Sequence, residues 1–202
     1  MTMIRSILLV LLATFPLAAA QSGPGIGEPA PVFTLPDTRG ETHALARYRG
    51  SWVVLEWTNY GCPFVKKHYR TGNIPSQQRE WRGQGVVWLS IVSSSPGTQG
   101  YYGPAGLDSA SVEMGSEATA LLMDPEGTVG RAYEARTTPH MFVIDPDGVL
   151  VYMGGIDDVP TSRDEDLERA TQLVDQALTQ ATAGNPVSVP TSRPYGCTVK
   201  YR

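Results

Sequence analysis

The sequence is poor in the residues that mark several protein classes. Only two cysteines occur among 202 residues, too few for a disulfide-stapled mini-scaffold or a four-cysteine zinc ribbon. Charged residues make up 18% of the chain, below the usual quarter or so. Basic residues do not dominate, since 16 Lys and Arg face 20 Asp and Glu for a formal charge of −4. A nucleic-acid binder carries a basic footprint, so no nucleic-acid partner is expected. The three histidines, His43, His68 and His140, show no ligand spacing with each other or with a cysteine, and neither a metal nor another cofactor is expected. Beyond residue 17 no apolar run approaches the ~20 residues a bilayer span requires. The 21 glycines and 16 prolines fall short of low complexity. What remains is a chain that is 41% hydrophobic, enough for one real core at the scale of a single domain.

Residues 1–20 read as an address. Arg5 precedes an apolar stretch from Ile7 to Leu17, and Ala18-Ala19-Ala20 supplies the small-residue pattern before Gln21. This predicts a secretory signal peptide cleaved after Ala20. The mature protein is then periplasmic or secreted, with no stable membrane association, in a compartment where two thiols pair or cycle. The chain divides into the signal peptide (1–20), a folded domain (21–184) and a C-terminal tail (185–202) that carries Cys197.

Within the domain, strands and helices alternate early. Residues 51–57, SWVVLEW, form an apolar run of strand length, followed by a break at Asn59-Tyr60-Gly61 and a helix over 63–70. Helical character resumes at 75–82, and a second buried strand covers 85–92. A glycine-rich loop, 93–106, leads to a weak helix at 107–115, a strand at 119–123 and a short helix at 128–135. Strands 141–144 and 149–153 flank Asp145-Pro146-Asp147-Gly148 as a hairpin. The clearest helix is predicted over 164–183, with Leu167, Ala170, Leu173, Val174, Ala177, Leu178 and Ala181 at helical spacing. This order, βαβ then ββα, implies an α/β protein with a central mixed sheet and helices on both faces. Trp52, Trp57, Trp88 and Phe142 are expected in the core. Asp157 and Asp158, with the acidic run 164–166, read as turn and helix-terminus charge.

Cys62 is where chemistry is expected. It follows a buried strand and precedes Pro63, a residue suited to a first helical turn, so it falls at a helix N-terminus. Unpaired amides and the helix dipole favour an anion there, and a cysteine so placed can have its pKa lowered to about 3.5–7.5. Lys66 lies one turn on and is expected to favour the thiolate.

The segments WTNYGCPFVKKHY after SWVVLEW, and TTPHMFVIDPDGVLVYMGGIDD before the last helix, resemble the thioredoxin superfamily. More narrowly, residues 27–184 resemble its exported redoxin and peroxiredoxin-like members of AhpC/TSA type. The resemblance implies a thioredoxin-like fold, with Cys62 as the active cysteine and Thr138-Pro139 as a cis-proline loop facing it, Thr138 offering its backbone to substrate. Two departures matter. Cys62-Pro63-Phe64-Val65 replaces the CxxC of dithiol thioredoxins, which rules out exchange within one helix. The peroxiredoxin PxxxTxxC pattern is also missing, with Leu55 and Asn59 at the Pro and Thr positions and the hydroxyl of Thr58 one residue away. Cys197 resembles the C-terminal resolving cysteine of some two-cysteine peroxidases. The implied function is a thiol oxidoreductase: Cys62 attacks a peroxide or a protein or small-molecule disulfide, Cys197 resolves it from the same chain or across a homodimer, and an external thiol restores the pair. The alternative is a non-catalytic binding module, for a protein partner or metal, in which a structural Cys62–Cys197 bridge pins the tail.

Overall fold

A computed structural model describes residues 23–202; the expected signal peptide lies outside the described residues. The centre is a five-stranded mixed sheet in the order β5-β4-β3-β7-β8. Its strands are β3 (Val53–Trp57), β4 (Val87–Val92), β5 (Ala120–Met123), β7 (His140–Ile144) and β8 (Leu150–Gly154). β3, β4 and β5 run parallel, whereas β7 pairs antiparallel with β3 on one side and with β8 on the other. Every residue of β3 is buried, which is why its sequence is a continuous apolar run and not an alternation.

The period of two still sorts its side chains. Val54 joins one apolar cluster with Val65 and Tyr69 of α1 (Pro63–Arg70), Ile74 and Trp81 of α2 (Asn73–Gly83), Leu107 of α3 (Pro104–Glu113) and Val174 and Leu178 of α5 (Leu173–Thr182). Val53, Leu55 and Trp57 join the other, against Phe33, Leu35 and Leu45 around the small β1 (Thr34–Pro36)–β2 (Thr42–Ala44) hairpin, and against Val129 and Tyr133 at α4 (Thr128–Ala132). The sheet is thus covered on both faces, and Trp57, Trp88 and Phe142 lie within the core.

One residue on β3 breaks the apolar pattern. The carboxylate of Glu56 is fully buried and accepts hydrogen bonds from Tyr69 Oη (2.8 Å), Trp88 Nε1 (2.8 Å), Ser90 Oγ (3.0 Å) and Gln78 Nε2 (3.1 Å). Burial pushes its pKa up, and those donors pull against that rise. They tie β3, β4, α1 and α2 together directly beneath the helix that Cys62 opens.

Four helices differ from their sequence-predicted spans, α2 by running from Asn73 to Gly83 where 75–82 is expected. The single helix expected over 164–183 is two elements: a 3-10 helix, Asp164–Arg169, and α5, separated by an extended Ala170 with ψ 134°. Tertiary pairing overrides the helical period there. Gln172 bridges to Asp157, Thr171 N donates to Asp158 Oδ1 (2.8 Å), and Leu173 N donates to Ile156 O (3.0 Å). α3 begins three residues before the predicted start, because Gly103 precedes Pro104 at the first helical position. α4 ends at Ala132, and Glu134 follows with φ 49°.

The tail folds back over the domain. Tyr195 and Val199 are buried, one in each apolar cluster. Residues Cys197–Thr198 form β9, paired antiparallel with β6 (Thr137–Thr138).

Candidate active site

Cys62 is the N-cap of α1, with extended backbone (φ −78°, ψ 127°), and Pro63 occupies the first turn. Asn59 shapes the approach. Its carbonyl accepts from Cys62 N (2.8 Å), and its Oδ1 accepts from Gly61 N (2.8 Å). No side chain caps α1 and its first turn holds no acidic residue. The free amide ends and the dipole are therefore unopposed at the sulfur. Cys62 itself is 0% exposed.

The second thiol arrives from the tail. Cys62 Sγ and Cys197 Sγ are 2.6 Å apart as free thiols, across 135 positions of sequence. Cys62 Sγ also lies 3.2 Å from the carbonyl oxygen of Thr138, to which a thiol donates. The Thr138–Pro139 peptide bond is cis, and the Thr138↔Cys197 register of β6–β9 brings the three residues together. Burial, followed by the hydrogen bond to Cys62 and its charge, raises the Cys197 thiol well above the ordinary range, while Lys200 acts weakly against the rise.

The other residues singled out by sequence are placed as follows. Lys66 donates its backbone N–H to Cys62 O (2.9 Å), and its side chain lies on the exposed face of α1. Thr58 extends the β3–β4 ladder through Thr58 N to Ile91 O (2.9 Å), and its Oγ1 is buried without a partner. The glycine-rich loop reaches the site through Gln99, whose carbonyl accepts from Asn59 Nδ2 (3.2 Å). A side chain on Gly100 would collide with Asn59. His140 packs on Phe142 with ring centroids 4.5 Å apart, and burial pulls its pKa down to about 4. Among the described residues, one group brings metal-ligating atoms within 4.8 Å of one another: Asp37, Glu41 and His43. There Asp37 Oδ1 accepts from the amides of Arg39 and Glu41, and His43 Nδ1 meets Tyr48 Oη, so the group serves the β1–β2 turn.

A buried polar cluster beside the thiols was not foreseen. Asp157, read from sequence as turn charge, is 1% exposed, and Lys67 and His68 of α1 are 0% exposed. Tyr195 sits among them. Its hydroxyl donates a short hydrogen bond to Asp157 Oδ1 and lies 3.0 Å from His68 Nε2 and 3.4 Å from Lys67 Nζ. Lys67 Nζ is 3.6 Å from Asp157 Oδ2 and 5.5 Å from the centre of the Tyr195 ring. His68 Nδ1 accepts from Asn73 Nδ2 (2.8 Å), which fixes the neutral tautomer with its proton on Nε2. Burial, then Lys67, pulls His68 down to about 3. Burial also lowers Lys67 against the pull of Asp157. His68 was legible in part, three residues after Val65 and so on its face. Nothing in the local sequence separates buried Lys67 from exposed Lys66, because the partners of Lys67 come from positions 157 and 195.

The central mixed sheet flanked by helices is a thioredoxin-like fold, and similar solved structures share that fold. They include an uncharacterized conserved protein from Geobacillus kaustophilus (24% identity, 88% of this chain and 93% of that one, TM-score 0.75). A hypothetical protein from Sinorhizobium meliloti is also similar (24% identity, 90% and 97%, TM-score 0.71). So is the thioredoxin domain of a thiol-disulfide oxidoreductase from Bacteroides vulgatus (17% identity, 72% and 96%, TM-score 0.52). Residues 26–153 match the AhpC/TSA family, and the chain belongs to it. No curated protein matches the chain.

Proposed function

We propose that this protein is an exported thiol oxidoreductase in which Cys62 is the nucleophile and Cys197 the resolving thiol. The observation that carries the reading is the pair of free sulfurs 2.6 Å apart at the start of α1. With a peroxide, the Cys62 thiolate attacks one oxygen, giving a sulfenic acid and releasing the alcohol or water. Cys197 then attacks the Cys62 sulfur, water leaves, and a disulfide remains. With a disulfide substrate, Cys62 forms a mixed disulfide and expels one thiolate; Cys197 expels the second. An external thiol donor returns two electrons in either case. Lys66 adds positive charge near the helix start, Thr138 and Pro139 form the substrate-facing loop, and Thr58 is a further substrate-binding residue whose buried hydroxyl has no hydrogen-bond partner among the described residues. A homodimer is a second arrangement in which Cys197 could act. Family membership, and the disulfide chemistry named for the Bacteroides relative, support the reading. No described helix is long and apolar enough to cross a membrane. Export rests on the signal-peptide pattern of residues 1–20.

A second reading has support of its own. Tyr195 and Val199 are as buried as core residues, as expected if a permanent bridge pins the tail on a non-catalytic module. Treating reduced protein with one equivalent of hydrogen peroxide and mapping thiols by peptide mass separates the two. The oxidoreductase reading expects rapid loss of the Cys62 thiol, then a Cys62–Cys197 bond, and a persisting sulfenic acid in Cys197→Ser. A bond that mild reductant cannot open in the folded protein, with Cys62→Ser reacting as fast as wild type, would overturn it in favour of the module.

A further inference from the structure

Tyr195 stands two residues before Cys197 and fastens the tail to α1. Its ring packs edge-on against Phe64 at 5.8 Å, and its hydroxyl enters the Asp157, His68 and Lys67 cluster. From that anchor the chain passes Gly196, whose φ of 127° and close approach to the Thr138 carbonyl leave no room for a side chain. It then pairs through Cys197–Thr198 with Thr137–Thr138. The backbone edge beside Cys62, which an extended chain would use for pairing, is already filled by the protein's own tail. Two residues of strand pairing hold weakly alone; Tyr195 is the anchor just before Cys197, and the bonds Val199 N to Arg136 O and Ser95 N to Lys200 O hold the chain just after it. Tyr195 and Gly196 also line a cavity of about 530 Å³, with Asp158, Pro160 and Arg193 on its walls. The Tyr195–Gly196 segment therefore borders open space.

We propose that Tyr195 is a positioning residue that lodges the tail as an intramolecular strand over Cys62, so that the closed site takes small disulfides and peroxides and refuses extended polypeptides. The proposal rests on Cys62 acting as the nucleophile, and it adds the substrate class. The balance is that of exchange: one small disulfide is reduced to two thiols, and the Cys62 and Cys197 thiols are oxidised to one bridge.

The test uses the reduced mature chain as wild type, Tyr195→Phe and Tyr195→Ala. Each is mixed in single turnover with bis(2-hydroxyethyl) disulfide or with an unstructured peptide dimerised through one disulfide. Every rate is divided by that of glutathione with the same disulfide. Wild type should favour the small disulfide by about tenfold or more, and Tyr195→Ala should raise the peptide rate about tenfold while the small-disulfide rate stays within about threefold. Tyr195→Phe, which keeps the ring, should fall between and serves alone if the alanine variant does not fold. In both variants the equilibrium for closing Cys62–Cys197 with glutathione disulfide should weaken by about tenfold, because Cys197 loses its effective concentration at Cys62. A wild type without size preference overturns the proposal, and so does a peptide rate unchanged in folded variants. A Cys62→Ser protein that reacts like wild type overturns instead the assignment of the nucleophile, a result distinct from both.

Discussion

At the scale of single residues, the cluster around Tyr195 sets a measurable pH dependence. His68 is held neutral, with its pKa drawn down to about 3 by burial and by Lys67. In the unfolded chain a histidine takes a proton below about pH 6.5. Between those values the unfolded state binds more protons, so the His68 contribution to stability is present above about pH 6.5 and lost as the pH falls. His140, drawn down to about 4, adds a loss of the same sign. Glu56, raised by burial, acts the other way, since its folded form keeps a proton over part of the acid range. The His68 share is isolated by comparison with His68→Gln, which can still donate to Tyr195 and accept from Asn73. Between pH 7 and 4.5, wild type should lose about 2 kcal/mol more than the variant in urea unfolding. Parallel losses in the two proteins would show that His68 titrates normally.

At the scale of elements, the site exists because three short pieces converge: the start of α1, β6 with its cis-proline, and β9. Gly196 is the closest point of that convergence, against the same Thr138 carbonyl that meets Cys62 Sγ. Gly196→Ala should dislodge β9 and leave the five-stranded sheet intact. Alkylation of Cys62 by iodoacetamide should then quicken by about tenfold or more as the covering strand opens, with an unchanged far-UV spectrum. No change in alkylation would mean that β9 does not guard the sulfur. The split between the 3-10 helix and α5 is a fact of the same scale. The heptad-like run of apolar residues in 164–183 was legible, but its interruption depended on Asp157 and Asp158 drawing residues 171–172 into backbone pairing.

At the scale of the molecule, the tail is part of the core and not an appendage. Met153 N donates to Pro190 O (3.0 Å), Val199 N to Arg136 O (3.0 Å) and Ser95 N to Lys200 O (2.9 Å). Tyr201 Oη reaches Ala135 O (2.7 Å). A chain ending at residue 184 should lose roughly 3–6 kcal/mol, the burial of the Tyr195 and Val199 side chains alone, with a large fall in the urea midpoint. A truncated chain as stable as the full one would show that the tail merely rests on the surface.

The sequence by itself determined the mixed sheet with helices on both faces, because buried parallel strands must be apolar throughout and helices must repeat every three to four residues. It also determined that Cys62 opens a helix, because Gly61 and Pro63 are local signals of that junction. The partnership of Cys62 and Cys197 was expected only from the family resemblance; their contact was decided by the fold, because 135 positions separate them and no periodicity spans such a gap. The burial of Lys67 in place of Lys66, and the conversion of Asp157 from a surface charge to a buried partner of Tyr195, were decided only by tertiary packing. Burying an ion depends on finding its counter-charge, and those partners lie on distant elements that only the folded chain brings together.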